Sequence, residues 1–172
     1  IEVFGFLDGF KGLVNNNFTK LDLERVSGIA HTGGTILGTT NRDNPFRYYS
    51  VEDGKEIYSD ESDRAIDNIN CLGLDGLIVI GGDGSLNIAH LFSQKGVPIV
   101  GVPKTIDNDL PLPEDITTFG FEAAREVGTK LVMNLKKDAF TSHNWFLVMS
   151  MGRKAGHLAL GIDKSAMATV TL

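Results

Sequence analysis

Residues Gly76–His90 read GLIVIGGDGSLNIAH. The apolar run Leu77–Ile80 has the make-up of a buried strand, the glycines after it break it, and the pattern beyond Ser85 has a helical period. Strand, tight turn and helix in such close succession fit a parallel sheet wound with helices. The turn itself, Gly81-Gly82-Asp83-Gly84, has more open backbone than a turn requires. Something beyond the turn is expected to use it.

The same alternation runs along the chain and predicts an α/β fold: a three-layer, Rossmann-like parallel sheet with helices on both faces, in a single domain over residues 1–172. Strands are expected at Ile1–Phe6, Leu77–Ile80, Val97–Val102 and Trp145–Met149. Gly28–Thr39 reads as a turn and short strand ending in a loop. Helices are expected at residues 60–72, at Ser85–Lys95 with Gly96 as its stop, and at Thr118–Lys136 with a stripe of Ala124, Val127, Leu131 and Leu135. A last one runs over Gly156–Met167, stacked through Leu158, Ile162 and Ala166. Residues 8–27 and 40–58 give no clear pattern.

Charge and cysteine usage narrow the function classes. The chain carries 16 Lys and Arg against 22 Asp and Glu, a net charge of −6, with no basic cluster beyond Lys136-Lys137, so neither nucleic acid nor an anionic membrane is an expected partner. No apolar run approaches the roughly 20 residues of a membrane span, and the start carries no signal-peptide pattern. The one cysteine, Cys71, excludes an internal disulfide and is expected as a buried structural thiol beside Ile66, Ile69 and Leu72. A cytoplasmic location follows as the expectation.

In open α/β sheets, ligands collect beyond the carboxyl ends of the strands. Four polar loops are expected there: Thr39–Arg42, Gly81–Ser85, Pro103–Leu110 and Ser150–Arg153. A helix N-terminus after glycines favours phosphate, and Asp83 beside it is placed to hold a magnesium ion. A glycine turn between strand and helix is also a common structural device, so the second loop decides. Lys104-Thr105-Ile106-Asp107-Asn108-Asp109 offers two carboxylates, a lysine and a hydroxyl. An alcohol attacking a phosphoryl group needs a carboxylate to take its proton and cations to absorb charge. The histidines His31, His90, His143 and His157 have no metal-ligand spacing.

GGDGS at Gly81–Ser85, TIDND at Thr105–Asp109 and MGR at Met151–Arg153, with TFGFEAA and GRKAGHLAL around them, resemble the 6-phosphofructokinases in order and over essentially the whole chain. The resemblance implies phosphorylation of fructose 6-phosphate at its 1-position, with magnesium as cofactor. It gives Asp107 the role of base, Asp83 that of magnesium ligand, and Asp109 a supporting place at the metal and sugar. Thr105 would bond the reacting region, and Arg42 would stabilise the transferred phosphoryl group. Gly82, Gly84, Ser85 and Lys104 join Arg42 and Asp83 around the donor. Ile106, Met151, Gly152 and Arg153 join Thr105, Asp107 and Asp109 around the sugar. The family further implies a homo-oligomer, when full length, under allosteric control.

Two positions speak differently about the donor. Gly84 leaves room for the α-phosphate of ATP, whereas an aspartate there would crowd and repel it. Lys104 is the residue pyrophosphate users carry, since a lysine neutralises that leaving group. ATP is the preferred expectation and pyrophosphate the alternative. The resemblance also implies that a first glycine loop and a C-terminal sugar-binding half lie outside these residues, so the 172-residue piece alone is expected to be inactive. Asn144 stands where better-known members have an arginine reaching a neighbouring subunit, with His143 a candidate substitute. Other kinases with a GGDG turn lack the TIDND and MGR sequence. A non-catalytic phosphosugar-binding paralogue would be expected to lose Asp107 or Asp83, and both are present.

Overall fold

The computed structural model describes residues 1–113 and 116–172. In chain order the elements are β1 (Phe4–Phe6), α1 (Phe10–Val14), β2 (Phe18–Lys20), α2 (Leu23–Val26), β3 (Tyr48–Glu52), β4 (Lys55–Ser59) and α3 (Ser62–Cys71). There follow β5 (Leu77–Gly81), α4 (Asp83–Gln94), β6 (Ile99–Thr105), β7 (Phe119–Gly120), α5 (Phe121–Ser142) and α6 (His157–Ala166). Strands β5, β6 and β7 form a parallel sheet in that order, giving an α/β, Rossmann-like arrangement. Two antiparallel pairs, β1 with β2 and β3 with β4, complete the strands among the described residues.

The described residues divide into two compact units, one of Ile1–Leu77 with Ile88–Val100, the other of Ile78–Asn87 with Gly101–Leu172. The first is built on an apolar cluster of Leu13, Val14, Ala65, Ile69, Phe92 and Val97. Phe92 is fully buried, with the rings of Phe10 and Phe46 at 6.1 and 4.9 Å between centroids. Here α3 buries Ser62, Ala65 and Ile69 at helical spacing, and its Asn68 amide donates to the carbonyls of Leu13 and Val14, which end α1. The Asp60 carboxylate accepts from the N–H of Ser62, the first residue of α3, at 2.9 Å, satisfying one of the helix's open donors.

The second unit rests on the pairing of α5 with α6. Gly128 of α5 sits directly under Ile162 of α6, where a Cβ would collide with that side chain, so the small residue sets how closely the helices approach. Lys136 closes the end of α6 by donating to the carbonyls of Ala166 and Met167 at 2.9 and 2.5 Å. The expected stripe of Leu158, Ile162 and Ala166 does face inward.

Several expectations need correction. On α5 the buried residues are Phe121, Thr129 and Val132, while Val127 and Leu131 are exposed; apolar spacing named the stripe but did not fix which side is covered. β5 is covered on one face only, with Ile78 and Ile80 at 72% and 64% exposure. Cys71 is exposed, since it lies two residues past Ile69 and therefore off the buried stripe of α3. Gly28–Thr39 forms no strand, because Gly28, Gly34 and Gly38 take positive φ of 76°, 82° and 76°. Trp145–Met149 forms no strand either, yet its exposures alternate as 88, 46, 96, 50 and 94%. Its side chains keep a two-residue period without a backbone ladder. Asp53-Gly54, both at positive φ, make the two-residue turn of the β3–β4 hairpin, in the stretch that gave no clear pattern.

Candidate functional site

The glycine turn is shorter than expected, with Gly81 ending β5 and Asp83 opening α4 two residues before the expected Ser85. Asp83 is exposed in the first turn of the helix, where the unpaired N–H groups and the positive dipole end lie. None of Gly81, Gly82 and Gly84 needs glycine for a left-handed backbone. Gly81 is needed because a Cβ there would lie 2.6 Å from Ser85 Cβ and Oγ. At Gly82 a Cβ would make only an ordinary contact, 3.6 Å from Thr105 Cβ. At Gly84 it would meet nothing within 4 Å. The chain's own packing therefore explains one of these glycines and leaves Gly82 and Gly84 as bare backbone at a helix start.

β6 runs on through Lys104 to Thr105, three residues past its expected end, so both belong to the strand. Lys104 is exposed, paired in register with Phe119 of β7. The chain then turns. The Thr105 hydroxyl accepts from the Asp107 N–H at 3.2 Å, and Asn108 takes a positive φ of 52°, unusual for a residue with a side chain. Thr118, buried and expected only as a helix start, ties this turn twice. Its hydroxyl donates to the Thr105 carbonyl at 2.7 Å, and its N–H donates to the Asn108 side chain at 2.9 Å. Ile106 lies beside Gly120, with Cγ2 at 3.6 Å from where a Cβ would be.

Asp107 is the most unusual carboxylate of the loop. It is 5% exposed; Oδ2 has Arg153 Nε at 3.6 Å, and Oδ1 has no hydrogen-bond partner among the described residues. A buried carboxylate oxygen without a donor is costly in a folded chain. Arg153 reaches it from a turn closed by the Ala155 N–H donating to the Gly152 carbonyl at 2.8 Å, with Arg153 itself at φ 51°. A Cβ at Gly152 would collide with the Ala155 carbonyl, so that glycine is a requirement of the turn.

Two cavities border these loops. One of about 550 Å³ is lined by Asp83, Asn108, Asp109, Lys154 and His157, among others. The other, about 500 Å³, follows Met149–Arg153 and reaches Ala159 and Leu172. Its wall includes Ser150, whose hydroxyl is buried without a partner among the described residues, and the exposed Met151. Asp83 and Asp109, expected together from the sequence, thus do share a cavity; Asp107 and Arg153, expected on the sugar side, meet as a pair. Arg42 is exposed in the first unit, where its N–H donates to the Thr40 hydroxyl at 3.2 Å. Ser85 is half-buried against Gly81.

Asn108, Thr118, Ser150, Lys154 and His157 were not singled out as site residues from sequence. Lys154 follows Arg153 directly, and that adjacency was the available signal. Magnesium keeps several waters and takes one or two protein carboxylates beside substrate phosphates. Asp83 and Asp109 on one cavity fit that demand, and no larger cluster of three metal-binding side chains exists among the described residues.

A family model described as Phosphofructokinase matches residues 1–172. The ATP-dependent 6-phosphofructokinase 2 of Clostridium perfringens is 52% identical over 169 residues, covering 96% of this chain and 45% of that protein. The pyrophosphate–fructose 6-phosphate 1-phosphotransferase of Thermotoga maritima is 45% identical over 179 residues, covering all of this chain and 40% of that protein. The chain thus spans less than half the length of either relative. Among solved structures, phosphofructokinase from Saccharomyces cerevisiae superposes with a TM-score of 0.78 at 29% identity, over 94% of this chain and 23% of that one.

Proposed function

The chain belongs to the phosphofructokinase family, and from that footing we propose that the protein transfers a phosphoryl group to the 1-hydroxyl of fructose 6-phosphate, giving fructose 1,6-bisphosphate, with ATP as donor. The observation that carries this reading is Asp107, a buried carboxylate with one oxygen unpartnered at the end of a strand of an α/β sheet. That oxygen is free to receive the proton of a substrate hydroxyl. As the hydroxyl oxygen bonds to the transferred phosphorus, the bridging P–O bond to the leaving ADP breaks and the proton passes to Asp107. Arg153, 3.6 Å from the other carboxylate oxygen, keeps Asp107 oriented before that step.

Bare backbone at Gly82 and Gly84 lets the donor phosphates approach the start of α4. By the family resemblance Arg42 would supply positive charge to the transferred group, and Met151, Gly152 and Ile106 shape the sugar side. Asp83, supported by Asp109, would hold the magnesium ion, which supplies charge neutralisation on the phosphate oxygens. The same reading makes the whole protein a cytoplasmic homo-oligomer.

Pyrophosphate is the second reading of the donor. It is favoured by the exposed Lys104 at the end of β6 and by the pyrophosphate-dependent Thermotoga maritima relative. The open space at Gly84 favours ATP. A coupled assay of the whole protein with each donor separates the two: ATP turnover without pyrophosphate turnover is expected, and equal rates would overturn the preference. In the same assay Asp107→Asn should lower kcat about 10²–10⁴-fold with the sugar KM little changed. Unchanged turnover would remove Asp107 as base.

A further inference from the structure

The cavity shared by Asp83 and Asp109 carries charge of both signs on its wall. Asp83, Asp109 and Lys154 all border the same open recess of about 550 Å³. Lys154 is exposed and forms no salt bridge among the described residues, so its charge is open to a ligand, while its neighbour Arg153 is paired with Asp107. Separated charges around a space of that size match a ligand that itself carries both signs. A divalent cation with phosphate oxygens is such a ligand: the cation faces the carboxylates and the oxygens face the ammonium.

A second feature points the same way. His157, also on the cavity wall, is the first residue of α6, and the first helical hydrogen bond there runs from Leu160 N–H to the Gly156 carbonyl at 2.9 Å. The N–H groups of His157, Leu158 and Ala159 therefore have no acceptor within the helix. Lys154 sits three residues ahead of this helix start, across the turn that Gly152 makes possible.

We propose that Lys154 is a donor-binding residue, holding the phosphate oxygens of the metal-bound phosphoryl donor together with the start of α6. The inference rests on the phosphotransferase reading above and adds a residue to its donor side. The sugar phosphate offers the same oxygen chemistry, so the test measures both ligands.

The whole protein and its Lys154→Ala and Lys154→Arg variants are titrated calorimetrically, in excess magnesium, with ATP, with pyrophosphate and with fructose 6-phosphate. The KM of each substrate is measured in parallel. Lys154→Ala should weaken the donor that the wild type binds about tenfold, the loss of one charge-assisted hydrogen bond, and raise its KM to match. Fructose 6-phosphate should move less than about twofold, Lys154→Arg should recover most of the donor affinity, and the unfolding midpoint should stay in place. Unchanged donor affinity, wild-type binding of neither donor, or an equal or larger loss for fructose 6-phosphate would overturn the assignment. Because binding is read without turnover, donor binding that depends on Lys154 in a protein making no fructose 1,6-bisphosphate would sustain the inference and sink the phosphotransferase reading.

Discussion

Gly12 and Gly84 are the same residue type used for opposite ends. At Gly12, inside α1, a Cβ would strike the Leu7 carbonyl, so the glycine exists for the chain's own packing in the first unit. At Gly84, in the second unit, there is nothing of the chain for a Cβ to meet. The first unit carries an apolar cluster around the fully buried ring of Phe92. In the second, a buried carboxylate oxygen and a buried hydroxyl stand without partners among the described residues. Groups satisfied by the chain itself specify its fold, and groups left open are where it meets something else.

The largest effect expected from this contrast is in the first unit. Phe92→Ala removes a fully buried ring between Phe10 and Phe46 and should cost about 3–5 kcal/mol, read as a lowered unfolding midpoint. A loss under about 1 kcal/mol would mean that the cluster is not what holds this unit. Next comes Gly84→Asp, which should leave stability within about 0.5 kcal/mol, because the site is open and an acidic residue suits the first turn of a helix. The same change should raise the KM for ATP about tenfold, one new repulsion against the donor, while sparing pyrophosphate. A lowered midpoint with the ATP KM unmoved would put Gly84 beside Gly12 as a packing glycine.

The smallest effect tests local structure alone. Hydrogen bonding from the Ser62 hydroxyl, and then from its N–H, holds the Asp60 carboxyl below its ordinary value. A depressed folded-state pKa stabilises above the unfolded value and loses that stabilisation as the pH falls through the folded one. Asp60→Ala should therefore cost about 0.5–1 kcal/mol at neutral pH, trimmed by solvent at this exposed position. The gap between the two proteins should close on acidification below about pH 4. A gap that persists at pH 2 would assign the loss to something other than the charge.

The parts of the fold legible in sequence were those where local pattern and burial coincide. The stripe Leu158, Ile162 and Ala166 of α6 faces inward as read, and α3 starts within two residues of its expected place. The side of α5 was not legible, because Val127 and Leu131 are as apolar as Phe121 and Val132, and only the packing of Gly128 against Ile162 chooses between the two. The hairpin turn Asp53-Gly54 was legible in principle, since that dipeptide favours two residues at positive φ. At the site, Asp83, Asp107 and Asp109 stood out because charge and glycine spacing mark chemistry in one dimension, and Arg153 through the MGR motif of the family resemblance. Thr118 and Lys154 did not, for their roles depend on which turn of chain folds back beside them.

Thr118 has a kinetic and entropic meaning as well as a geometric one. By fastening the Thr105 carbonyl and the Asn108 side chain, it closes the aspartate loop like a clasp from residues 10 and 13 positions away. The disorder such a loop could otherwise explore is then given up once, at folding, and need not be given up again at each binding event. Under the proposed function, a substrate arriving at Asp107 would find its acceptor already in place.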